Sequence, residues 1–238
     1  MSASWYDRQI LPYLLDFLCS LEPVRRQREK IVPRAEGRVL EIGIGTGLNV
    51  RHYDKTKVGK ITGLDPALEM HRLASKRIAQ AGLDVDLVGL SAEHIPLDDA
   101  SFDCVVVTYT LCSVPDPVTA LKEMRRVLKT GGRFLFCEHG RAPDESVRRW
   151  QDWLTPYWKN IAGGCHLNRD IAALISEAGF ACRDLQTMYL PGPRPLTYNY
   201  LGRSGSCVIP NSAFVRALQS HIGANASLNF ASYGVTMV

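Results

Sequence analysis

From Pro33 onward, short apolar runs alternate with amphipathic stretches, the pattern of a parallel sheet wrapped by helices. Residues 39–42 read as a first strand and 43–47 as a turn into a helix. Residues 60–64 read as the second strand. A helix is expected over 66–81, with Leu68, Leu73 and Ile78 among its apolar positions and Gly82 as its stop. Residues 85–88 and 102–108 give the third and fourth strands. A helix over 118–128 follows, with Val118, Leu121, Met124, Val127 and Leu128 apolar. A turn at 129–132 leads into a fifth strand at 133–137, too apolar for a sheet edge.

Beyond this series the pattern changes. Residues 146–164 form an aromatic-rich helix carrying Trp150, Trp153, Leu154, Tyr157, Trp158 and Ile161, either core packing or one wall of an apolar substrate pocket. Residues 168–178 read as another helix, closed by Gly179. Residues 180–190 and 196–201 read as a terminal antiparallel pair, separated by the turn Pro191-Gly-Pro-Arg-Pro195. At the other end, residues 1–36 form an amphipathic helical cap, with Trp5, Ile10, Leu11, Leu14, Leu15, Phe17 and Leu18 apolar and Arg25, Arg26, Arg28 and Lys30 following. The cap reads first as a lid over the sheet, with contact to a membrane surface as the alternative. The chain thus divides into a cap at 1–36, a sheet domain at 37–203 and a tail at 204–238, whose only charged residue is Arg216 and which shows no pattern. Within the sheet domain, 38–138 is the ligand-binding core and 144–170 an insert.

Composition narrows the class. With 238 residues, 46% hydrophobic and 22% charged, the chain can bury a full core, which excludes disorder as its general description. The net charge is only +4, from 28 basic and 24 acidic residues, so no nucleic-acid partner is expected. Seven cysteines, an odd number, show neither a CxxC pair nor Cys/His zinc spacing, so neither a disulfide scaffold nor a metal site is expected. Cys104, Cys112, Cys137 and Cys182 lie in apolar or strand-like contexts and fit small apolar side chains in a reducing cytoplasm. The apolar run at 10–18 is interrupted by Pro12 and Asp16 and falls short of the about 20 residues a bilayer requires, so neither a signal peptide nor an integral membrane segment is expected, and the protein is read as soluble.

The most informative chemistry lies in Glu41-Ile-Gly-Ile-Gly-Thr-Gly47. A strand ending in Gly-x-Gly-x-Gly brings backbone amides against a ligand without side-chain obstruction. The dinucleotide fingerprint requires Gly or Ala at position 48, where this chain has Leu48, and the Glu41 carboxylate suits a cation better than a phosphate. A nicotinamide oxidoreductase is therefore disfavoured. Asp65, 18 positions after Gly47, ends the second strand where a carboxylate can accept both hydroxyls of a ribose. Ser91-Ala-Glu93 follows the third strand, and Pro96, Phe102 and Asp103 precede or open the fourth.

On these segments, together with Gly63-Leu-Asp-Pro66, Ser101-Phe-Asp103 and Val127-Leu-Lys-Thr-Gly-Gly132, residues 38–138 resemble the class I S-adenosylmethionine-dependent methyltransferases of type 11. The resemblance implies a Rossmann-like, doubly wound α/β fold, with a mostly parallel seven-stranded sheet whose last strand is antiparallel. It implies S-adenosylmethionine as cofactor and S-adenosylhomocysteine as product. The loop holding Gly43, Gly45 and Gly47, with Glu41 ahead of it, is assigned to the methionine moiety. Asp65 goes to the ribose, Ala92 and Glu93 to the adenine edge, and Thr108 to the strand-four wall, with Pro66 counted among the cofactor-binding residues.

A narrower resemblance covers Leu111-Cys-Ser-Val114, Glu138-His139, the tryptophan-rich helix, Gly163-Gly-Cys-His-Leu-Asn-Arg169 and Ala178-Gly-Phe180. These look like the thiol methyltransferase-like proteins, whose animal members methylate small alkyl thiols and carry a longer hydrophobic anchor than the interrupted run here. The implied reaction is direct in-line transfer to a small apolar acceptor. A thiol with a pKa of about 8.5 is already partly ionised at neutral pH, whereas a hydroxyl requires a firmer base. His139 and His166 are the candidate bases. Tyr109, Trp150, Trp153 and Cys165 are the candidate acceptor-binding residues, with Cys165 structural rather than nucleophilic. O-, N- or C-methylation of a small metabolite or lipid, and a non-catalytic cofactor-binding module, are the competing readings.

Overall fold

A computed structural model describes residues 5–206, which form a seven-stranded sheet in the order β3-β2-β1-β4-β5-β7-β6. The strands are β1 (Gly37–Ile42), β2 (Val58–Leu64), β3 (Val85–Val88), β4 (Phe102–Thr108), β5 (Leu128–His139), β6 (Phe180–Tyr189) and β7 (Tyr198–Ser206). Neighbouring strands from β3 through β5 run parallel, and β7 lies antiparallel between β5 and β6. The direction of winding reverses between β1 and β4, and in such sheets ligands bind in the crevice at the carboxyl ends of the strands flanking that point.

Period-two alternation fills both faces. Leu40, Ile42, Val105, Val107, Phe134 and Phe136 point to one side, against Leu121, Met124 and Val127 of α5 (Pro117–Val127) and Ile171 and Ile175 of α7 (Ile171–Glu177). Val39, Ile61, Cys104, Val106, Leu135 and Cys137 point to the other, against Ile31 and Val32. Each fully buried phenylalanine contributes about 2 kcal/mol of transfer free energy. The helices are punctuated by local chemistry. Asp116 and Asp170 accept the Thr119 and Ala173 amides, each at 3.0 Å, at the starts of α5 and α7, and Gly82 closes α4 (Leu68–Ala81) in the left-handed conformation.

Three helices precede the sheet: α1 (Trp5–Gln9), α2 (Leu11–Ser20) and α3 (Glu22–Ile31). None of the described helices is long and apolar enough to cross a membrane. The cap is pinned to the first loop by Arg77 of α4, which donates to Asp16 at 2.6 and 3.0 Å and to the Thr46 carbonyl at 2.7 Å.

Two local expectations are corrected. No helix follows the glycine loop; turns and one 3-10 turn, Val50–His52, replace it. Asn49 and Tyr53 turn inward there to bond Glu41, and Thr56 bonds Asp54, so side chains compete with the helical backbone pattern. The terminal antiparallel strand begins at Tyr198 and runs to Ser206, because Arg194–Thr197 forms a single helical turn, α8, instead of strand. The tail expected at 204–238 lies outside the described residues from 207 onward.

Candidate active site

At the carboxyl rim of β1, β2 and β4 lies a cavity of about 290 Å³, lined by Gly43, Gly45, Asp65, Pro66, Ala92 and Thr108 among others. The glycines serve different ends. A Cβ on Gly43 would sit 2.1 Å from Thr110 Oγ1, so only glycine lets the two loops meet. A Cβ on Gly47 would press to 3.0 Å on the backbone of Ala74, so that position brings α4 close. Both oxygens of Asp65 are engaged: Oδ2 accepts Gly45 N at 2.9 Å and Oδ1 accepts Ala67 N at 2.8 Å. Burial nevertheless raises its carboxyl above the usual range. The cap closes this cavity with Leu11, Leu15, Asp16, Cys19 and Arg28. Burial works against the charge on Asp16, but hydrogen bonds from Arg77 and Thr46 outweigh it and hold the carboxyl below its ordinary value.

Arg28 enters from α3 to donate from Nη1 to Asn49 Oδ1 at 2.8 Å and to Thr108 Oγ1, and its guanidinium lies 5.0 Å from the Tyr109 ring centre. Its buried Nε has no hydrogen-bond partner among the described residues. Asn49 joins the same network, donating to Glu41 Oε1 at 2.9 Å and Thr108 Oγ1 at 3.0 Å.

A second cavity, of about 420 Å³, shares Leu15, Cys19, Tyr109 and Ser113 with the first. Its walls are Leu18, Val24, Trp158, Leu167, Pro193 and Leu196, and at one end stand Cys112, His139 and Cys165. Their ligand-type atoms lie within 4.8 Å of one another, with His139 Nε2 3.1 Å from Cys165 Sγ. Three elements deliver them. Cys112 sits on the loop after β4, held by Glu138 Oε1, which accepts the Thr110 and Leu111 amides at 2.8 and 3.1 Å. His139 ends β5, opposite Asn199 of β7. Cys165 follows the left-handed turn at Gly163 and Gly164 that ends α6 (Glu145–Ile161).

The cluster is electrostatically polarised. A hydrogen bond from Cys165, opposed by burial and aided by His139, pulls the Cys112 thiol well below its ordinary value. Cys165 is raised by that same bond and by burial. Burial disfavours the imidazolium of His139, yet the neighbouring Cys112 thiolate outweighs it and raises its proton affinity. Burial lifts Glu138 to about 8, and its Oε2 has no hydrogen-bond partner among the described residues.

Residues 40–136 match the family model for a methyltransferase domain. The thiol S-methyltransferase TMT1B of Rattus norvegicus is 36% identical over 66% of this chain and 65% of its own length. Its Homo sapiens counterpart is 32% identical over 78% of this chain and 80% of its own length. The chain belongs to the class I S-adenosylmethionine-dependent methyltransferases. Among solved structures, an S-adenosylmethionine-dependent methyltransferase of Thermotoga maritima, described as a possible histamine N-methyltransferase, has a TM-score of 0.60 at 26% identity, covering 85% of this chain and 98% of that one. N-methyltransferase NodS of Bradyrhizobium japonicum, bound to S-adenosylhomocysteine, has a TM-score of 0.62 at 18% identity, covering 84% and 94%; at that identity the likeness shows the fold alone. The protein is a methyltransferase with S-adenosylmethionine as methyl donor.

Against that family, several sequence expectations are relocated. Glu41, 1% exposed, does not line the donor cavity: it points with Val39 to the opposite face of β1, where Asn49 and Tyr53 bind its carboxylate. Burial raises it to about 7. Gly47 and Glu93 also stand behind the wall. The Glu93 carboxylate accepts Ser91 Oγ and Asp116 N, bracing the loops rather than facing the cavity.

Trp150 and Trp153 are corrected as acceptor residues: at 58% and 59% exposure they face outward, because α6 packs through Val147, Gln151 and Thr155. Trp158 lines the second cavity in their place. His166 is corrected too. The glycine turn points Cys165 inward and folds His166 back onto the Cys112 carbonyl, which its backbone N–H reaches at 2.8 Å. Tyr109 and Cys165 line the second cavity, and Tyr109 holds a left-handed φ of +53° while donating to Asn199 Oδ1 at 2.7 Å. No metal site was expected from spacing, yet the fold brings together Cys112, His139 and Cys165, which lie 27 and 26 positions apart and so escape any spacing rule.

Proposed function

We propose that this methyltransferase transfers the methyl group of S-adenosylmethionine to the sulfur of a small apolar thiol, leaving S-adenosylhomocysteine. The reading is carried by the lining of the second cavity. Among the described residues that line it there is no Asp, Glu, Lys or Arg; its walls are mainly apolar, with the Cys112, His139 and Cys165 end and the neutral polar side chains of Tyr109, Ser113, Thr197 and Asn199. Such a cavity suits a neutral alkyl chain, and it offers no carboxylate to an ammonium and no Lys or Arg to a phosphate headgroup. The TMT1B relatives, named as thiol S-methyltransferases, support the same acceptor atom.

The donor lies in the first cavity, with its ribose hydroxyls on Asp65 and its methionine part along Gly43 and Gly45. Ala92 supports the adenine and Thr108 the wall after β4. Arg28, with its unpartnered buried Nε, offers its charge to the carboxylate of the methionine moiety. The acceptor reacts as its thiolate, the thiol proton having passed to water, and its sulfur lone pair attacks the methyl carbon as the methyl–sulfonium bond breaks and its electron pair returns to the donor sulfur. Charge is neutralised in that step, so orientation and exclusion of water are the main requirements. Cap residues Leu11 and Leu15 supply the exclusion.

A panel of alkyl thiols, phenols and amines with methyl-labelled donor tests this. Turnover of the thiols well above the other classes is expected; turnover confined to oxygen or nitrogen acceptors overturns the reading.

A further inference from the structure

We propose that Cys112, His139 and Cys165 form a zinc site whose fourth position takes the acceptor thiol. The use of that fourth position rests on the thiol reading above, whereas occupancy by the metal does not. Tetrahedral zinc with Zn–S of about 2.3 Å and Zn–N of about 2.0 Å places its ligand atoms roughly 3.5–3.8 Å apart. The three atoms here lie within 4.8 Å of one another, and the 3.1 Å between His139 Nε2 and Cys165 Sγ needs only a few tenths of an ångström of opening.

The ligand set has the character of a catalytic site. Three protein ligands with one side open to a cavity leave a position for substrate, whereas structural zinc has four. Two thiolates and a neutral imidazole match zinc in softness and cancel its charge, so the site stays neutral in apolar surroundings. Supporting groups orient the ligands. Trp158 Nε1 donates to Cys165 Sγ at 3.3 Å, and Ser113 Oγ lies 3.5 Å from Cys112 Sγ. The Cys112 loop is fixed by Glu138, by Arg169 donating to the Val114 carbonyl at 2.7 Å, and by the His166 amide on the Cys112 carbonyl.

In the reaction the incoming thiol binds the metal through sulfur and loses its proton to solvent water. The zinc-bound thiolate then supplies its lone pair to the methyl carbon, the methyl–sulfonium bond breaks toward the donor sulfur, and the neutral thioether leaves the metal. Zinc is neither oxidised nor reduced. The cluster thereby answers how a cavity without a carboxylate base ionises its substrate.

The test is metal content of the full chain, purified with a thiol-free reductant and no chelator, followed by cobalt substitution without donor or acceptor. About one zinc per chain is expected, and thiolate-to-cobalt charge-transfer absorption in the cobalt form. Adding ethanethiol shifts the cobalt bands if the fourth position takes sulfur. Cys112→Ser, Cys165→Ser and His139→Gln each abolish the cobalt signal, Trp158→Phe weakens zinc affinity about tenfold, and Cys182→Ser leaves it unchanged. Retained S-adenosylhomocysteine binding by calorimetry shows that the variants are folded. A chain without zinc that gives no charge-transfer band, a Cys112–Cys165 disulfide as the purified form, or binding untouched by the three substitutions overturns the proposal. Thiol methylation by a zinc-free chain would sink the metal site while sparing the thiol reading; a bound metal whose bands ignore ethanethiol, without thiol turnover, would sink the reverse.

Discussion

Asp65 offers the sharpest quantitative test of the donor site, because its two oxygens already carry structural work. Each accepts one backbone N–H, from Gly45 at 2.9 Å and Ala67 at 2.8 Å, which leaves one lone-pair direction per oxygen for a ribose hydroxyl. Removing the carboxylate costs two charge-assisted bonds to ligand and loosens the Gly45 loop. At the low end of about 1.5 kcal/mol per bond this is about 3 kcal/mol, or about 150-fold in affinity. Asp65→Asn has the same shape but turns one acceptor into an NH2 facing a peptide N–H, so it should bind S-adenosylhomocysteine nearly as poorly as Asp65→Ala. Calorimetric titration of the wild type and both variants reads the loss, with thermal unfolding as the check that each is folded. Binding by folded variants within about threefold of wild type would rule out Asp65 as a ribose ligand.

Three further outcomes follow from the same geometry. Arg77→Ala, which releases Asp16 and the Thr46 carbonyl, should loosen the cap and weaken donor affinity about 5- to 30-fold, from about 1–2 kcal/mol of partly buried charged bonds, as measured by calorimetry. Burial raises Glu41 from 4.5 to about 7, so the folded state holds the proton more tightly than the unfolded chain. Its stabilising effect is complete below about pH 4.5 and is lost as pH rises through about 7, a change of about 3 kcal/mol that Glu41→Gln should remove from urea unfolding compared at about pH 5 and about pH 8. Trp150→Ala and Trp153→Ala should leave kcat and KM for a water-soluble thiol unchanged, since both rings face away from the cavities.

The legible part of this protein is the part written in local pattern. Strand periodicity, the glycine loop and Asp65 at a strand end depend on residues near in sequence, and they locate the sheet and the donor cavity. What stayed hidden depends on direction or on distance along the chain. In α6 the tryptophans drew attention as the apolar face, yet the buried face runs through Val147, Gln151 and Thr155 at four-residue steps. Gln151 is buried because its side chain accepts the Ala142 amide and donates to the Gly140 and Pro195 carbonyls, bonds that no hydrophobicity pattern registers. The same limit applies to Glu41, whose place one residue before Ile42 turns it to the far face of β1.

Asp16 stood out only as a polar residue within the apolar run and Arg28 only as one of several basic residues after it; their targets, Arg77 and Thr108, lie 61 and 80 positions away. Cys112 and Cys165 fell within two segments that resembled thiol methyltransferases, and His139 within a third. Their convergence follows from β5 standing beside β4 while α6 returns the chain to the same rim. Treating those three segments as one site, rather than as separate motifs, was the available signal.

The most direct measurement of the central claim is to incubate the protein with S-adenosylmethionine carrying an isotopically labelled methyl group and one small alkyl thiol, and to follow the label. A labelled methyl thioether and S-adenosylhomocysteine are expected in equal amounts, with both lost in Asp65→Ala. No label on the thiol sulfur, with the labelled donor left unconsumed by the folded protein, would contradict that reading.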